Sequence, residues 1–247
     1  MDVDGSVALV TGGQRGMGGQ HSTGGRRSAG GRRGIGPSIV EELLARGASK
    51  VYVTARTPSM DRDPRIVPLA VDVRDDAAVA RLAGMAGDAT VVVSTPGLDG
   101  FADLLDGSVA SFRRDFDVDV FGLLSVTRAM APVLGANGGG AMLNILSTLS
   151  WTTEGMGCSA SRAAAASISD HARAALRAQG TTVTVARLGF GGSAPVAAQV
   201  PELGASVLAV RAVDALEAGE DEVLLDEIGH RVRPPRPGAL ATADGLR

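Results

Sequence analysis

Short runs rich in β-branched residues alternate with longer helical patterns along almost the whole chain. The runs with the length of strands are VALVT (7–11), VYVTA (51–55), IVPLAVDV (66–73), TVVVST (90–95), MLNILS (142–147), TVTVARL (182–188) and EVLLD (222–226). Most are apolar over their length instead of alternating between apolar and polar residues, which is typical of parallel strands that helices cover on both faces. The pattern predicts an α/β fold with a Rossmann-type, doubly wound parallel sheet of about seven strands.

The segments between these runs have helical periodicity. They are PSIVEELLARG, DDAAVARLAGMAG, a long stretch from about 108 to 134, CSASRAAAASISDHARAALRAQG and PELGASVLAVRAVDALEAG. After Asp226 the periodicity fades into RVRPPRPGALATADGLR, whose prolines and small residues are typical of a loose tail. We expect one Rossmann domain over residues 1–230, with a Gly/Arg-rich insert at about 14–31, and a flexible C-terminal tail over residues 231–247.

The composition narrows the class of protein. A net charge of -3 over 247 residues gives no general attraction to nucleic acid or acidic membranes. The single cysteine, Cys158, leaves no internal disulfide and fits a reducing compartment. The N-terminus lacks the basic region of a signal peptide, and no apolar run approaches about 18 residues. We expect a cytoplasmic protein without a metal site, because His21, His171 and His230 are scattered without ligand spacing.

A glycine-rich loop motif occurs more than once near the N-terminus. The copies are TGGQRGMG (11–18) and AGGRRGIG (29–36), which lie 18 residues apart, and a blurred TGGRRSAG (23–30) between them. In a Rossmann fold the first strand-to-helix turn binds a dinucleotide, because glycine lets the backbone approach the pyrophosphate and the helix N-terminus offers free N–H groups.

Only the first copy follows a strand, and only the second runs directly into a helix. We therefore predict a hybrid loop, in which Gly12 turns out of the strand and the residues before the helix complete the site. Those residues are Gly34, Ile35 and Gly36, and the segment between the two parts bulges out.

These features resemble the short-chain dehydrogenase/reductase family, whose members are NAD(P)-dependent Rossmann enzymes, over nearly the whole chain. The family's TGxxxGxG loop is matched twice. Its aspartate–valine pair after the third strand, which holds the adenine, matches Asp72 and Val73. Its NNAG turn corresponds to STPG (94–97), where only Gly97 is retained. In LGFGGS, Ser193 stands where the family has a threonine that contacts the nicotinamide amide.

The resemblance also assigns the candidate catalytic residues. The serine strand of the family resembles NILSTLSW, which places its serine at Ser147. The family's YSASK helix is written CSASR here, so Cys158 takes the tyrosine position and Arg162 the lysine position. The asparagine of the long helix is replaced by Asp119 in DVDVFG.

The replaced residues carry the proton chemistry of the family. Hydride transfer to a ketone leaves an alkoxide that a positioned acid must protonate, and loss of such an acid costs about 10²- to 10⁴-fold in rate. The only tyrosine, Tyr52, lies in the second strand and the only lysine, Lys50, lies just before it, so neither replaces the missing residue.

Three of the candidate catalytic residues have two interpretations each. Cys158 is a small packing residue or a proton source acting through water, and Ser147 either hydrogen-bonds a carbonyl oxygen or is structural. Asp119 either impairs the site slightly or acts as a new base. Arg162 retains donors for ribose hydroxyls or a phosphate.

The cofactor preference rests on the end of the second strand. A carboxylate there would select NAD, but the sequence offers Ala55 and then Arg56. Arg56, together with Arg33, can pair with a 2′-phosphate, so we predict NADP (NADPH) as the cofactor. The alternative for Arg56 is an ordinary solvated arginine.

Three functional classes follow. The first is an NADPH-dependent carbonyl reductase of a small organic substrate with weakened or atypical proton donation. The second is a catalytically silent NADP-binding protein or subunit partner. The third is a nucleic-acid-binding protein that contacts its ligand through the arginines of the insert, which are Arg15, Arg26, Arg27, Arg32 and Arg33. The net negative charge of the rest of the chain disfavours this class.

The resemblance further implies a homodimer or homotetramer. The apolar residues of the long helix form either the core or a dimer face, and they are Phe112, Phe116, Val120, Leu123 and Leu124.

Overall fold

A parallel sheet organises the part of the chain that the computed structural model describes, which is residues 1–12, 35–95, 105–151, 157–189 and 203–233. Its strands are β1 (Val7–Thr11), β2 (Lys50–Ala55), β3 (Ile66–Ala70), β4 (Val91–Ser94), β5 (Gly140–Ser147), β6 (Thr181–Leu188) and β7 (Glu222–Leu224). They lie in the order β3-β2-β1-β4-β5-β6-β7, and every neighbouring pair is parallel. The predicted Rossmann-type sheet is confirmed.

Helices connect the strands on both faces. They are α1 (Ile35–Ala45), α2 (Asp76–Ala80), α3 (Leu82–Met85), α4 (Val109–Phe116), α5 (Leu123–Ala136), α6 (Gly157–Leu176), α7 (Ala205–Ala218) and α8 (Glu227–Val232). A π-helical segment, Asp117–Gly122, joins α4 to α5, and a short 3₁₀ turn, Thr148–Trp151, follows β5.

Successive strand residues bury their side chains in opposite cores, which explains the uniformly apolar runs in the sequence. Val10 of β1 packs in the core with Leu43 of α1 and Leu216 of α7. Its neighbour Leu9 packs in the opposite core with Met130 of α5. All five side chains are fully buried.

Some helix predictions need correction. The single helix predicted over DDAAVARLAGMAG is two short helices, α2 and α3, with Arg81 between them. The sequence pattern also missed α8, which lies where the periodicity fades. Asp226 caps this helix by accepting a hydrogen bond from the Gly229 N–H at 2.9 Å, and its other carboxylate oxygen accepts one from the Gly189 N–H at 2.8 Å.

The stretch Val109–Ala136 has the length and mean hydropathy of a membrane span, contrary to the expectation that no segment would. Half of its most apolar window is buried within the protein. Val126, Met130 and Leu134 of this stretch pack in the core with sheet residues, so its hydropathy reflects a core helix of the Rossmann fold.

The chain reverses its direction of progress across the sheet between β1 and β4, which creates a crevice at the carboxyl ends of these strands. Gly12 follows β1 with a φ of +70°. Thr95 follows β4, and its hydroxyl donates a hydrogen bond of 2.5 Å to the Thr11 carbonyl. A Cβ atom at Gly12 would lie 2.7 Å from the Thr95 Oγ1, so only glycine fits this turn.

The close approach of Thr95 to Gly12 predicts that a side chain at position 12 lowers the stability of the protein. Gly12→Ala and Gly5→Ala both place a side chain in the left-handed region, since Gly5 has a φ of +72°, and each should lose roughly 1–2 kcal/mol of unfolding free energy. Gly5 has no atom within 4 Å of the added Cβ, so Gly12→Ala should lose more than the control. Urea denaturation measures both losses, and equal losses would contradict the contact with Thr95.

Candidate active site

Three of the four predicted catalytic residues meet around one small cavity. Ser147 is the last residue of β5 and is buried. Asp119 comes from the π-helical segment and Arg162 from α6. The cavity is lined by Asp119, Ile145, Leu146, Ser147, Arg162 and Ala165. The fold therefore brings together residues that are far apart in the sequence.

Asp119 is almost completely buried, with 1% of its surface exposed. Its Oδ2 accepts a hydrogen bond from the Ser161 hydroxyl at 2.8 Å and lies 3.6 Å from the Arg162 Nε. Burial raises the pKa of the Asp119 carboxyl, while the Arg162 charge and the Ser161 hydrogen bond oppose that rise. The aspartate and the arginine that replace the family's asparagine and lysine thus contact each other.

The π-helical segment holds Asp119 in this position. Such segments insert an extra residue into a helix and are frequent at functional sites. Gly122 ends the segment and packs against Val73, because a Cβ there would lie 2.9 Å from the Val73 Cγ2. The same contact places the segment beside the residue that the resemblance assigns to the adenine.

The predicted adenosine residues lie together at the carboxyl ends of β2 and β3. Asp72 pairs with Arg74 through two nitrogens, at 2.5 Å from Nη2 and 3.0 Å from Nε. This hydrogen bonding holds the pKa of the Asp72 carboxyl below its ordinary value, and the nearby charge of Arg56 adds to the effect. Arg56 is exposed to solvent, and Val73 is half-buried.

Other predicted site residues have partial or no description in the structure. Ile35 is the first residue of α1, and Gly36 is buried behind it. Cys158 is the second residue of α6, one helical turn before Arg162, and only its backbone is described. Arg33, Gly34, Gly97 and Ser193 lie outside the described residues. Their assignments remain predictions.

The only tyrosine and the only lysine are held at the other end of the sheet. Lys50 begins β2, and its ammonium donates to the Tyr52 hydroxyl at 2.9 Å and also pairs with Asp88. The Tyr52 hydroxyl donates to the Asp88 Oδ1 at 3.0 Å. These contacts place both residues away from Ser147, so neither restores the missing proton donor.

The sequence interpretation missed an arginine that supports the end of β5. Arg187 of β6 is buried and pairs with Glu222 of β7 at 2.5 Å. It donates to the Ser150 hydroxyl at 2.9 Å, and that hydroxyl donates to the Ser147 carbonyl at 3.0 Å. Its guanidinium lies over the Trp151 ring, 4.4 Å from the centroid. A lone arginine in an apolar strand is the signal that could have found it.

A second buried acidic residue was also missed. Asp115 of α4 lies four positions before Asp119, is 4% exposed, and has a carboxyl pKa raised by burial and by the Asp119 charge. Asp115 is the buried residue of α4, and a carboxylate on the buried side of a helix breaks the amphipathic pattern, which was its sequence signal.

The Arg187 network can be tested through Trp151, the single tryptophan of the chain. Arg187→Met removes the guanidinium and leaves Glu222 without this partner, so unfolding free energy should fall by about 1–3 kcal/mol. Tryptophan emission should shift to longer wavelength because water replaces the cation over the ring. Arg173→Met is the control, since Arg173 bonds the carbonyl groups of Val183 and Asp221 instead. Identical emission in both variants would contradict the stacking.

Comparisons with known proteins identify the family of the chain. The family model described as short chain dehydrogenase matches residues 29–202, which include the second glycine copy and leave out β1. Human L-xylulose reductase is 30% identical over 122 residues. That match covers 47% of this chain and 50% of the human protein, so the chain aligns with only about half of that relative.

Solved structures extend the likeness to the whole chain. A short chain dehydrogenase from Burkholderia cenocepacia J2315, solved in complex with NADP, has a TM-score of 0.79 and 31% identity, covering 100% of this chain and 97% of its own. A short-chain dehydrogenase from Streptomyces avermitilis has a TM-score of 0.76 at 20% identity, covering 93% and 91%, and shows the shared fold. Since the family model matches well over half of the chain, the protein belongs to the short-chain dehydrogenase family.

Proposed function

We propose that this protein is an NADPH-dependent reductase of a carbonyl group on a small organic substrate, with a proton donor other than tyrosine. The observation that carries the proposal is the shared cavity of Ser147, Asp119 and Arg162 at the carboxyl edge of the sheet. Ligands bind at this edge in doubly wound sheets. The reductase named in the human relative and the NADP in the Burkholderia relative support the same class.

The described residues fit a dinucleotide phosphate. Gly12 leaves the crevice between β1 and β4 open, because a side chain there would fill the space against Thr95. The N-terminus of α1, an 11-residue helix, begins on the other side of the loop. Val73 offers an apolar contact for the adenine, and the exposed Arg56 can pair with a 2′-phosphate. These residues, with Arg162 toward the ribose, would hold the cofactor.

The chemistry divides between the cofactor and the protein. NADPH supplies the hydride when it is bound. Ser147 donates a hydrogen bond to the substrate carbonyl oxygen, which polarises the carbonyl group and stabilises the charge that develops on oxygen. Arg162 adds a positive charge beside that oxygen. The proton must then come from a group other than tyrosine, because the chain has none near α6.

The second candidate is a silent NADP-binding protein. The observation in its favour is the ion pair between Arg162 and the buried Asp119. This pairing occupies the guanidinium that would otherwise bind the cofactor ribose. Both candidates share the cofactor site and differ only in turnover, so a substrate screen separates them.

The protein would act as a homodimer or homotetramer. Of the residues in the predicted dimer face, Val120 and Leu123 are buried in the protomer, whereas Phe112, Phe116 and Leu124 are half-buried. Phe121 is 55% exposed beside them. Sedimentation of the purified protein would establish the assembly.

Restoring the family residues tests the proposed chemistry. Cys158→Tyr combined with Arg162→Lys rebuilds the YSASK helix facing Ser147, and NADPH-dependent reduction of an activated diketone should rise about 10²-fold or more. Arg162→Lys alone is the control and should give no rise, since it supplies no acid. A double variant that binds NADPH normally and turns over no substrate would favour the silent protein.

Cofactor selectivity tests the phosphate site separately. Arg56→Asp removes a partner of the 2′-phosphate and adds a repelling charge, so NADPH binding should weaken by about 1–3 kcal/mol relative to NADH. Calorimetric titration of both cofactors measures the change. Arg81→Asp makes the same charge change between α2 and α3 and should leave the ratio unaltered. An unchanged ratio in both variants would place Arg56 outside the site.

A further inference from the structure

Two buried carboxyl groups lie on one helical stretch, and one of them, Asp119, lines the cavity. Asp115 and Asp119 are four residues apart and are 4% and 1% exposed. Within the described part of the chain, the Asp115 Oδ2 and the Asp119 Oδ1 have no hydrogen-bond partner. Buried carboxylate oxygens without partners are costly, so this arrangement requires an explanation.

Among the residues that the structure describes, the charges around the pair do not balance if both groups are ionised. Arg162 of α6 acts on both carboxyls, and its side chain is 15% exposed. Arg114, on α4 itself, acts on Asp115 and is exposed to solvent. Ser161 adds one hydrogen bond, to Asp119. One buried guanidinium offsets one carboxylate, and a second ionised carboxylate would remain largely uncompensated.

We infer that Asp115 and Asp119 together retain one proton at neutral pH and deliver it, across the cavity and the Ser147 hydroxyl, to the product oxygen. The delivery rests on the proposed reductase function. In this step Asp119 supplies the proton that the missing tyrosine would otherwise provide. Asp115 is a positioning residue that keeps the proton in the pair.

The proton balance of the step is simple. The carbonyl carbon gains the hydride, and the carbonyl oxygen becomes an alkoxide that takes the Ser147 hydroxyl proton. A water of the size that the cavity holds passes the Asp119 proton to the Ser147 oxygen. Asp119 is left as a carboxylate next to Arg162, and the pair regains one proton from solvent. The substrate is reduced, NADPH is oxidised, and one proton is consumed.

The direction of both pKa changes agrees with one retained proton in the pair. Burial is the largest cause for each carboxyl, and it raises both pKa values from the ordinary value of 3.8. The Asp119 charge raises the pKa of Asp115 further, whereas Arg162 and Ser161 lower that of Asp119. Because the two groups interact, the retained proton belongs to the pair and not to one oxygen.

Infrared spectroscopy of the cofactor-free protein tests the retained proton. At pH 7 the unmodified protein should show the C=O stretch of a protonated carboxyl group, and Asp115→Asn or Asp119→Asn should remove it. Asp117→Asn is the matched control, because Asp117 lies between the two on the same helical stretch and is exposed. Absence of the band from the unmodified protein, or its survival in both variants, would overturn the inference.

Stability provides an independent readout. A carboxyl with a raised pKa binds its proton more tightly in the folded protein, so stability falls as pH rises above the ordinary value of 3.8 and through the raised pKa. Asp115→Asn should therefore raise the melting temperature more at pH 8 than at pH 5. Asp117→Asn should show no such difference. A pH-independent effect of Asp115→Asn would count against a titrating pair.

Activity then tests delivery. In the unmodified protein, turnover should fall as pH rises through the pKa of the pair, and Asp119→Asn should lower it about 10²-fold. Turnover that neither Asp115→Asn nor Asp119→Asn changes would reject delivery while leaving the reductase function intact. If the infrared band is present and no carbonyl substrate is reduced, the reductase function and delivery both fail, and only the retained proton stands.

Discussion

Burial of both faces of the parallel sheet is the constraint on which the rest of this structure depends. A sheet covered on both sides requires helical crossovers between its strands, and these place the carboxyl ends of all strands at one edge. Gly12, Arg56, Asp72 and Ser147 each lie at or just after such an end. Residues separated by most of the chain therefore share one edge, and the candidate active site is a consequence of the topology.

At that edge the chain differs from the family pattern in the charge of two side chains. The contact between Asp119 and Arg162 replaces the neutral amide and the ammonium that the resemblance implies at these positions. An aspartate there without a cation would be a buried, uncompensated charge, and an arginine without an anion would be likewise. The two substitutions thus support each other. Together they place an ionisable carboxyl group where the resemblance implies the amide of an asparagine.

The sequence predicted the strands well because uniform apolar runs follow directly from burial on both faces. It also identified Ser147, Asp119 and Arg162 through motifs. It could not show that Asp119 contacts Arg162, because that contact depends on the π-helical segment and the packing of α6. The stacking of Arg187 on Trp151 was hidden for a similar reason, since it follows from the way β5, β6 and β7 pair. The helix α8 is six residues long and too short for a periodic signal.

The proposed function requires that this edge bind a 2′-phosphorylated dinucleotide even though the family's tyrosine and lysine are replaced. Calorimetric titration of the unmodified protein with NADPH and with NADH tests it most directly, since binding requires none of the replaced groups to act in catalysis. We expect saturable binding of both cofactors, with NADPH the tighter of the two. Failure of either cofactor to bind, or tighter binding of NADH, would contradict it.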